Sequence, residues 1–164
     1  MSLSIEEINS KYDLNFDKNY EELFDIIIQI FNNKMNLDNY DLSNSKILNI
    51  IGLYYYYKEI NYTQAIQYYL MAIKLGNSSA MNNLALYYYE KEKDYTQTIK
   101  YFLMAIDLDD AKAMYNLSFI TTVSPIKVFM EIDLVENPNE FMVNLKAKLK
   151  KNHKVIIFEN KKRL

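Results

Sequence analysis

Cysteine is absent from the 164 residues of this chain, and glycine and proline occur only twice each. Without thiols there is no disulfide, no thiolate nucleophile and no thiolate metal site. So little Gly and Pro argues against a turn-rich β fold and for long helices with short joints. No stretch approaches the ~20 apolar residues that a membrane-spanning helix needs. The opening Met1-Ser-Leu-Ser-Ile-Glu-Glu7 has no basic segment followed by an apolar run, so no signal peptide is expected. Histidine occurs once, as His153 amid lysines, whereas a catalytic histidine needs an orienting partner and a nucleophile. There is no G-x-G-x-x-G, no phosphate loop and no H-E-x-x-H. The carboxylate pairs Glu6-Glu7, Glu21-Glu22 and Asp109-Asp110 stand at expected helix starts, where the helix dipole favours them. The expectation is a cytoplasmic chain that is not an enzyme and holds no cofactor or metal.

What is present points to a folded helical protein. Half of the residues are hydrophobic and a quarter charged, which argues against wholesale disorder. The net charge of −2 hides an asymmetry, because the last 19 residues are strongly basic. They carry Lys146, Lys148, Lys150, Lys151, Lys154, Lys161, Lys162 and Arg163 against Glu159 alone. Such a tail suits an anionic partner or the acidic body of its own chain. Its single Arg argues against nucleic acid, whose phosphates favour bidentate guanidinium contacts.

The dominant feature is a repeat. Asn61-Tyr-Thr-Gln-Ala-Ile-Gln-Tyr-Tyr-Leu-Met-Ala-Ile73 returns 33 residues later as Asp94-Tyr-Thr-Gln-Thr-Ile-Lys-Tyr-Phe-Leu-Met-Ala-Ile106. Over 62–86 against 95–119, 14 of 25 positions are identical, too many for shared composition alone. A period of this length with helical spacing inside it reads as a stack of helix pairs. A fainter copy sets Ile51-Gly52-Leu53-Tyr54-Tyr55-Tyr56 beneath Leu84-Ala85-Leu86-Tyr87-Tyr88-Tyr89. First helices are expected at about 45–58, 78–93 and 110–122, second helices at about 62–75 and 95–108. Asn61 with Gln64, and Asp94 with Gln97, have capping-box spacing. So do Ser4 with Glu7 and Asn19 with Glu22, the latter opening a helix over 20–33 with an apolar stripe of Leu23, Phe24, Ile27, Ile30 and Phe31. Ile126–Leu134 is a shortened echo of Ile99–Leu108, and Asn137-Pro-Asn-Glu140 starts a last helix with Phe141, Leu145 and Leu149 spaced by four. The fold class is all-α, a short solenoid of helix pairs. It divides into an N-terminal helical cap and loop (1–44), three pairs (45–75, 78–108, 110–135) and a basic capping helix and tail (136–164).

These residues resemble Sel1-like repeats, relatives of tetratricopeptide repeats. The likeness rests on Ala80, Leu84-Ala85 and Tyr88, then Thr98, Tyr101-Phe102 and Ala105-Ile106. The first copy matches through Ile51-Gly52, Tyr55, Ala65, Tyr68-Tyr69, Ala72 and Gly76, and the third through Ala113, Leu117-Ser118 and Thr121. The phrase Tyr-Tyr-Leu-Met-Ala-Ile is also similar to repeat proteins of giant DNA viruses infecting amoebae, which would place the chain in the host-cell cytoplasm. The Gly-rich turn between the two helices of a pair is replaced here by Glu-Ile-Asn or Glu-Lys-Asp. The resemblance implies a right-handed α-α superhelix and protein–protein scaffolding. It also implies that the first helices line a concave groove. Three ladders would then face a partner: Asn49, Asn82 and Tyr115; Leu53, Leu86 and Phe119; Tyr56, Tyr89 and Thr122. An apolar rung flanked by Asn and Tyr suits a helix or extended peptide. Three rivals stand beside this reading: the chain's own first helix (Phe24, Ile27, Phe31) filling the groove, an anionic partner (nucleic acid or membrane surface) on Lys146–Arg163, and a homodimer. The tyrosine runs 54–57 and 87–89 are expected to pack rather than to stack on bases.

Overall fold

The computed structural model describes residues 2–33 and 36–123. Every regular element among them is helical. The helices are α1 (Ile5–Tyr12), α2 (Phe24–Asn32), α3 (Ser45–Tyr57), α4 (Tyr62–Lys74), α5 (Ser78–Tyr87), α6 (Tyr95–Asp107) and α7 (Ala111–Val123). Short 3-10 turns occupy Lys18–Leu23 and Leu37–Asn39, and a π-helical turn, Tyr88–Glu92, extends α5. The starts of α3, α5 and α7 stand at a constant interval of 33 residues, as do those of α4 and α6. The expected helices at 126–134 and from 137 onward, and the run Val155–Phe158, lie outside the described residues. The chain divides into two compact units at Ala80 and Met81, within α5.

Side-chain amides and carboxylates start the helices. Asn44, Asn61, Asn77, Asp94 and Asp110 each accept a hydrogen bond from an amide two or three residues on: Lys46 (2.9 Å), Gln64 (3.1 Å), Ala80 (2.8 Å), Gln97 (2.9 Å) and Ala113 (3.0 Å) respectively. The capping boxes expected at Asn61 and Asp94 are only half formed. Their own amides donate instead to Tyr55 O (2.8 Å) and Tyr88 O (3.1 Å), which leaves Gln64 and Gln97 no cap amide to bind. Ser4 and Glu7 do form a full box. The expected cap at Asn19 is replaced by Asp17, which caps a 3-10 turn before α2 begins.

In the first unit, Phe31 is the hub of the N-terminal core. Its ring lies 5.3 Å from Tyr12, 6.1 Å from Phe16 and 5.9 Å from Tyr54 of α3. Ile27 and Ile30 of the same helix are fully buried. Asn32 closes the layer by clamping the backbone of Leu3, accepting from its amide (2.6 Å) and donating to its carbonyl (2.9 Å). Lys58 Nζ donates to Phe31 O (2.8 Å), a further tie between α2 and α3.

The α3–α4 seam is set by one glycine. A Cβ on Gly52 would meet Tyr69 ring carbons at 2.5 and 2.6 Å. Tyr69 is fully buried, so its ring has nowhere to retreat. In the second unit the corresponding positions, Ala85 and Phe102, are both fully buried. Thr98, where the first copy has Ala65, is also buried, and its hydroxyl donates to Asp94 O (2.7 Å). Each large side chain buried this way contributes on the order of 1.5–3 kcal/mol.

The turns that follow α3 and α5 each contain a left-handed residue, Ile60 (φ 53°) and Lys93 (φ 57°), where a glycine would be unstrained. Each second helix ends likewise, at Gly76 (φ 77°) and Asp109 (φ 57°). The amides of Asn77 and Asp110 then reach back to Ala72 O and Ala105 O, both at 3.1 Å.

Two predictions follow from these backbone positions. Gly52→Ala should lose about 1–3 kcal/mol in urea unfolding through overpacking, although alanine is the better helix former. In a Tyr69→Leu background the same change should be near neutral, the sign of direct coupling. Ile60→Gly should raise stability by about 0.5–1 kcal/mol by relieving the left-handed strain, because the Ile60 side chain is exposed and little packing is lost.

Candidate protein-interaction surface

The tyrosine runs are internal fasteners, repeated in both copies. Tyr55 stacks on Tyr68 with centroids 5.5 Å apart and planes 6° apart. Tyr88 stacks on Tyr101 at 5.7 Å and 1°. Beside each stack a buried phenol donates to a carboxylate at the helix end: Tyr54 to Glu59 Oε1 (2.5 Å), and Tyr87 to Glu92 Oε1. Tyr56 meets Tyr62, and Tyr89 meets Tyr95, at 5.1 and 6.0 Å. Thus Tyr55, Tyr56, Tyr88 and Tyr89 each join a first helix to its own second helix.

The eight groove residues are divided by burial. Asn49, Leu53 and Asn82 are buried, Tyr56, Leu86 and Tyr89 are half-buried, and only Tyr115 and Phe119 are well exposed. Asn82 Oδ1 accepts a hydrogen bond from Asn116 Nδ2 of α7 at 2.9 Å. Asn82 therefore lies in a seam between α5 and α7 instead of on an open face. The side chain of Thr122 and the whole basic tail, Lys146 to Arg163, lie outside the described residues.

A further apolar surface, outside the groove ladders, lies on the second helices. Leu70 and Met71 of α4 are 37% and 39% exposed, with Leu75 exposed at the helix end. Their counterparts on α6, Leu103 and Met104, are half-buried, and Leu108 is exposed. Neighbours on the same outward face have drifted between copies, Gln67 to Lys100 and Lys74 to Asp107, whereas Leu-Met is retained. The usable signal was a verbatim apolar pair at positions that helical spacing assigns to solvent.

Polar chemistry is sparse. Among the described residues no three His, Cys, Asp or Glu side chains gather as a metal site, and no helix is long and apolar enough to cross a membrane. An open cleft of about 470 Å³ is lined by Lys18, Asn19, Glu21, Glu22 and Lys46. Lys46 Nζ is held there by Glu22 (3.1 Å) and by Asn19 O (3.2 Å). Compared with known proteins, the chain matches no family model, no curated protein and no solved structure.

Burial pushes the phenols of Tyr54 and Tyr69 well above the ordinary tyrosine range; the Glu59 carboxylate adds to the first, and Tyr57 and Tyr56 to the second. In the unfolded chain both would ionise near pH ~10. Below that pH both states hold their protons and the stabilisation is complete. As pH rises past it the unfolded state loses protons that the native state retains, so stability falls. Urea midpoints measured from about pH 8 upward should show this alkaline decline, and Tyr54→Phe with Tyr69→Phe should flatten it.

Proposed function

We propose that this chain is a non-catalytic protein-interaction module, in which Sel1- or tetratricopeptide-like helix pairs stack as a short right-handed superhelix and present apolar side chains to a protein partner. The single observation that carries the reading is the retained, outward Leu-Met pair of the second helices. On the same face the exposed pairs Gln67/Lys100 and Lys74/Asp107 differ between the copies. Leu70 and Met71, each more than a third exposed, keep their identity at the half-buried Leu103 and Met104. Methionine is unbranched and polarisable, which suits a surface that must fit another protein's side chains. Leucine beside it supplies apolar area, and clustered exposed apolar area marks interaction sites.

The half-buried Tyr56, Leu86 and Tyr89 contribute the edge of a concave face at most, since Asn49, Leu53 and Asn82 are buried. The partner surface is therefore centred on Leu70 and Met71 of α4, within the first unit, and the groove ladder plays the smaller part.

Leu70→Glu with Met71→Glu should leave the melting temperature within a few degrees of wild type, because both side chains are exposed. It should reduce partner capture by more than about tenfold, the scale of a hot-spot loss. A set of captured proteins unchanged by the double substitution would remove the basis of this function.

A further inference from the structure

With no cysteine in the sequence, no thiol competes for an oxidant, and the sulfur chemistry of this chain is that of its methionines. Four methionines stand among the described residues, in unlike settings. Met81 and Met114 lie in the core, 5% and 2% exposed. Met104 of α6 is half-buried. Met71 of α4 is 39% exposed, directly after exposed Leu70. The repeat therefore presents the same Leu-Met pair at two depths, and the copy on α4 is the more open.

The two copies also differ in charge. Three residues after Met71, one turn along the helix, stands Lys74; three residues after Met104 stands Asp107, and both are exposed. A sulfoxide carries its negative end on oxygen, which an ammonium meets as a donor and a carboxylate repels. Depth and charge thus favour the oxidised side chain on α4 over α6.

We infer that Met71 is an oxidation-sensitive modification site, at which a hydroperoxide turns the apolar surface of α4 polar. With hydrogen peroxide, the sulfur lone pair forms an S–O bond as the O–O bond breaks. The proton on the transferred oxygen passes to the departing hydroxide, which leaves as water. Sulfur is oxidised by two electrons and the peroxide is reduced by two. A thiol-dependent sulfoxide reductase reverses the change, two thiols becoming a disulfide while the oxygen leaves as water. Because Met71 stands outside the core, the fold tolerates the added oxygen. The surface meanwhile loses its most adaptable apolar side chain. That oxidation switches off partner binding rests on the function proposed above; the selective chemistry at Met71 does not.

The test treats the full-length protein with dilute hydrogen peroxide, quenches it at intervals and maps the peptides by mass spectrometry. Met71 should gain one oxygen at least about tenfold faster than Met81 and Met114, whose sulfurs are reached only by local opening, and faster than Met104. When Met71 is converted and Met81 and Met114 are not, the melting temperature should stay within a few degrees of the untreated protein. Retention on a phenyl hydrophobic-interaction column should fall, and most of that fall should be missing from Met71→Leu treated alike. Oxidation of Met104, Met81 or Met114 as fast as Met71, or an equal loss of retention in Met71→Leu, would overturn the site. Partner capture separates the switch from the proposed function. If Leu70→Glu with Met71→Glu abolishes capture but the Met71 sulfoxide does not weaken it, the switch is wrong and the function stands. If neither change affects capture, the function and its switch fall together, and the oxidation rates alone decide the site.

Discussion

The first unit depends on how closely α3 approaches α4, and that approach is decided where the bare backbone of Gly52 meets the ring of Tyr69. A fully buried aromatic side chain brings a large apolar area into the seam, and the missing Cβ makes room for it. Everything that fastens the pair is arranged around that distance. The Tyr55–Tyr68 stack lies beside it, and the Tyr54–Glu59 bond closes the far end of α3. The turn between the helices then has little freedom left, which is consistent with Ile60 being held in a backbone conformation that a β-branched residue rarely adopts.

The two copies act as an internal experiment on what such a seam tolerates. Gly52 with Tyr69 becomes Ala85 with Phe102, and Ala65 becomes Thr98 with its hydroxyl satisfied by the preceding turn. The seam residues change size by no more than one methyl and one hydroxyl at a time. The stacked tyrosines and the Tyr–Glu bonds do not change at all. Packing is adjustable in small increments, whereas a hydrogen bond between a phenol and a carboxylate either finds its partner or loses it.

Helix boundaries were legible because the chain states them twice, and a 33-residue shift applied to Asn61 and Asp94 finds both second helices. The start of α2 was less legible: Asp17 and Asn19 are both capping residues with an acid nearby, and local composition does not say which one the 3-10 turn will use. The interaction surface was the least legible part. Helical spacing tells which side chains share a face, but not whether that face meets solvent, its own second helix or the next first-helix. Asn82 was therefore assigned to a groove although it lies in a seam with Asn116. The Leu70-Met71 pair is illegible for the same reason, because repetition alone does not separate a packed apolar residue from an exposed one.

The fasteners share a further property: each closes inside a single copy. Tyr54 and Glu59 are five residues apart, and Tyr55 reaches Tyr68 across one short turn. Contacts of such low sequence separation form early and quickly, since little loop entropy is lost in closing them. A duplicated stretch of this chain would thus arrive with its lock already included. Whatever it meets on its outer faces, such a copy inherits its internal closure intact.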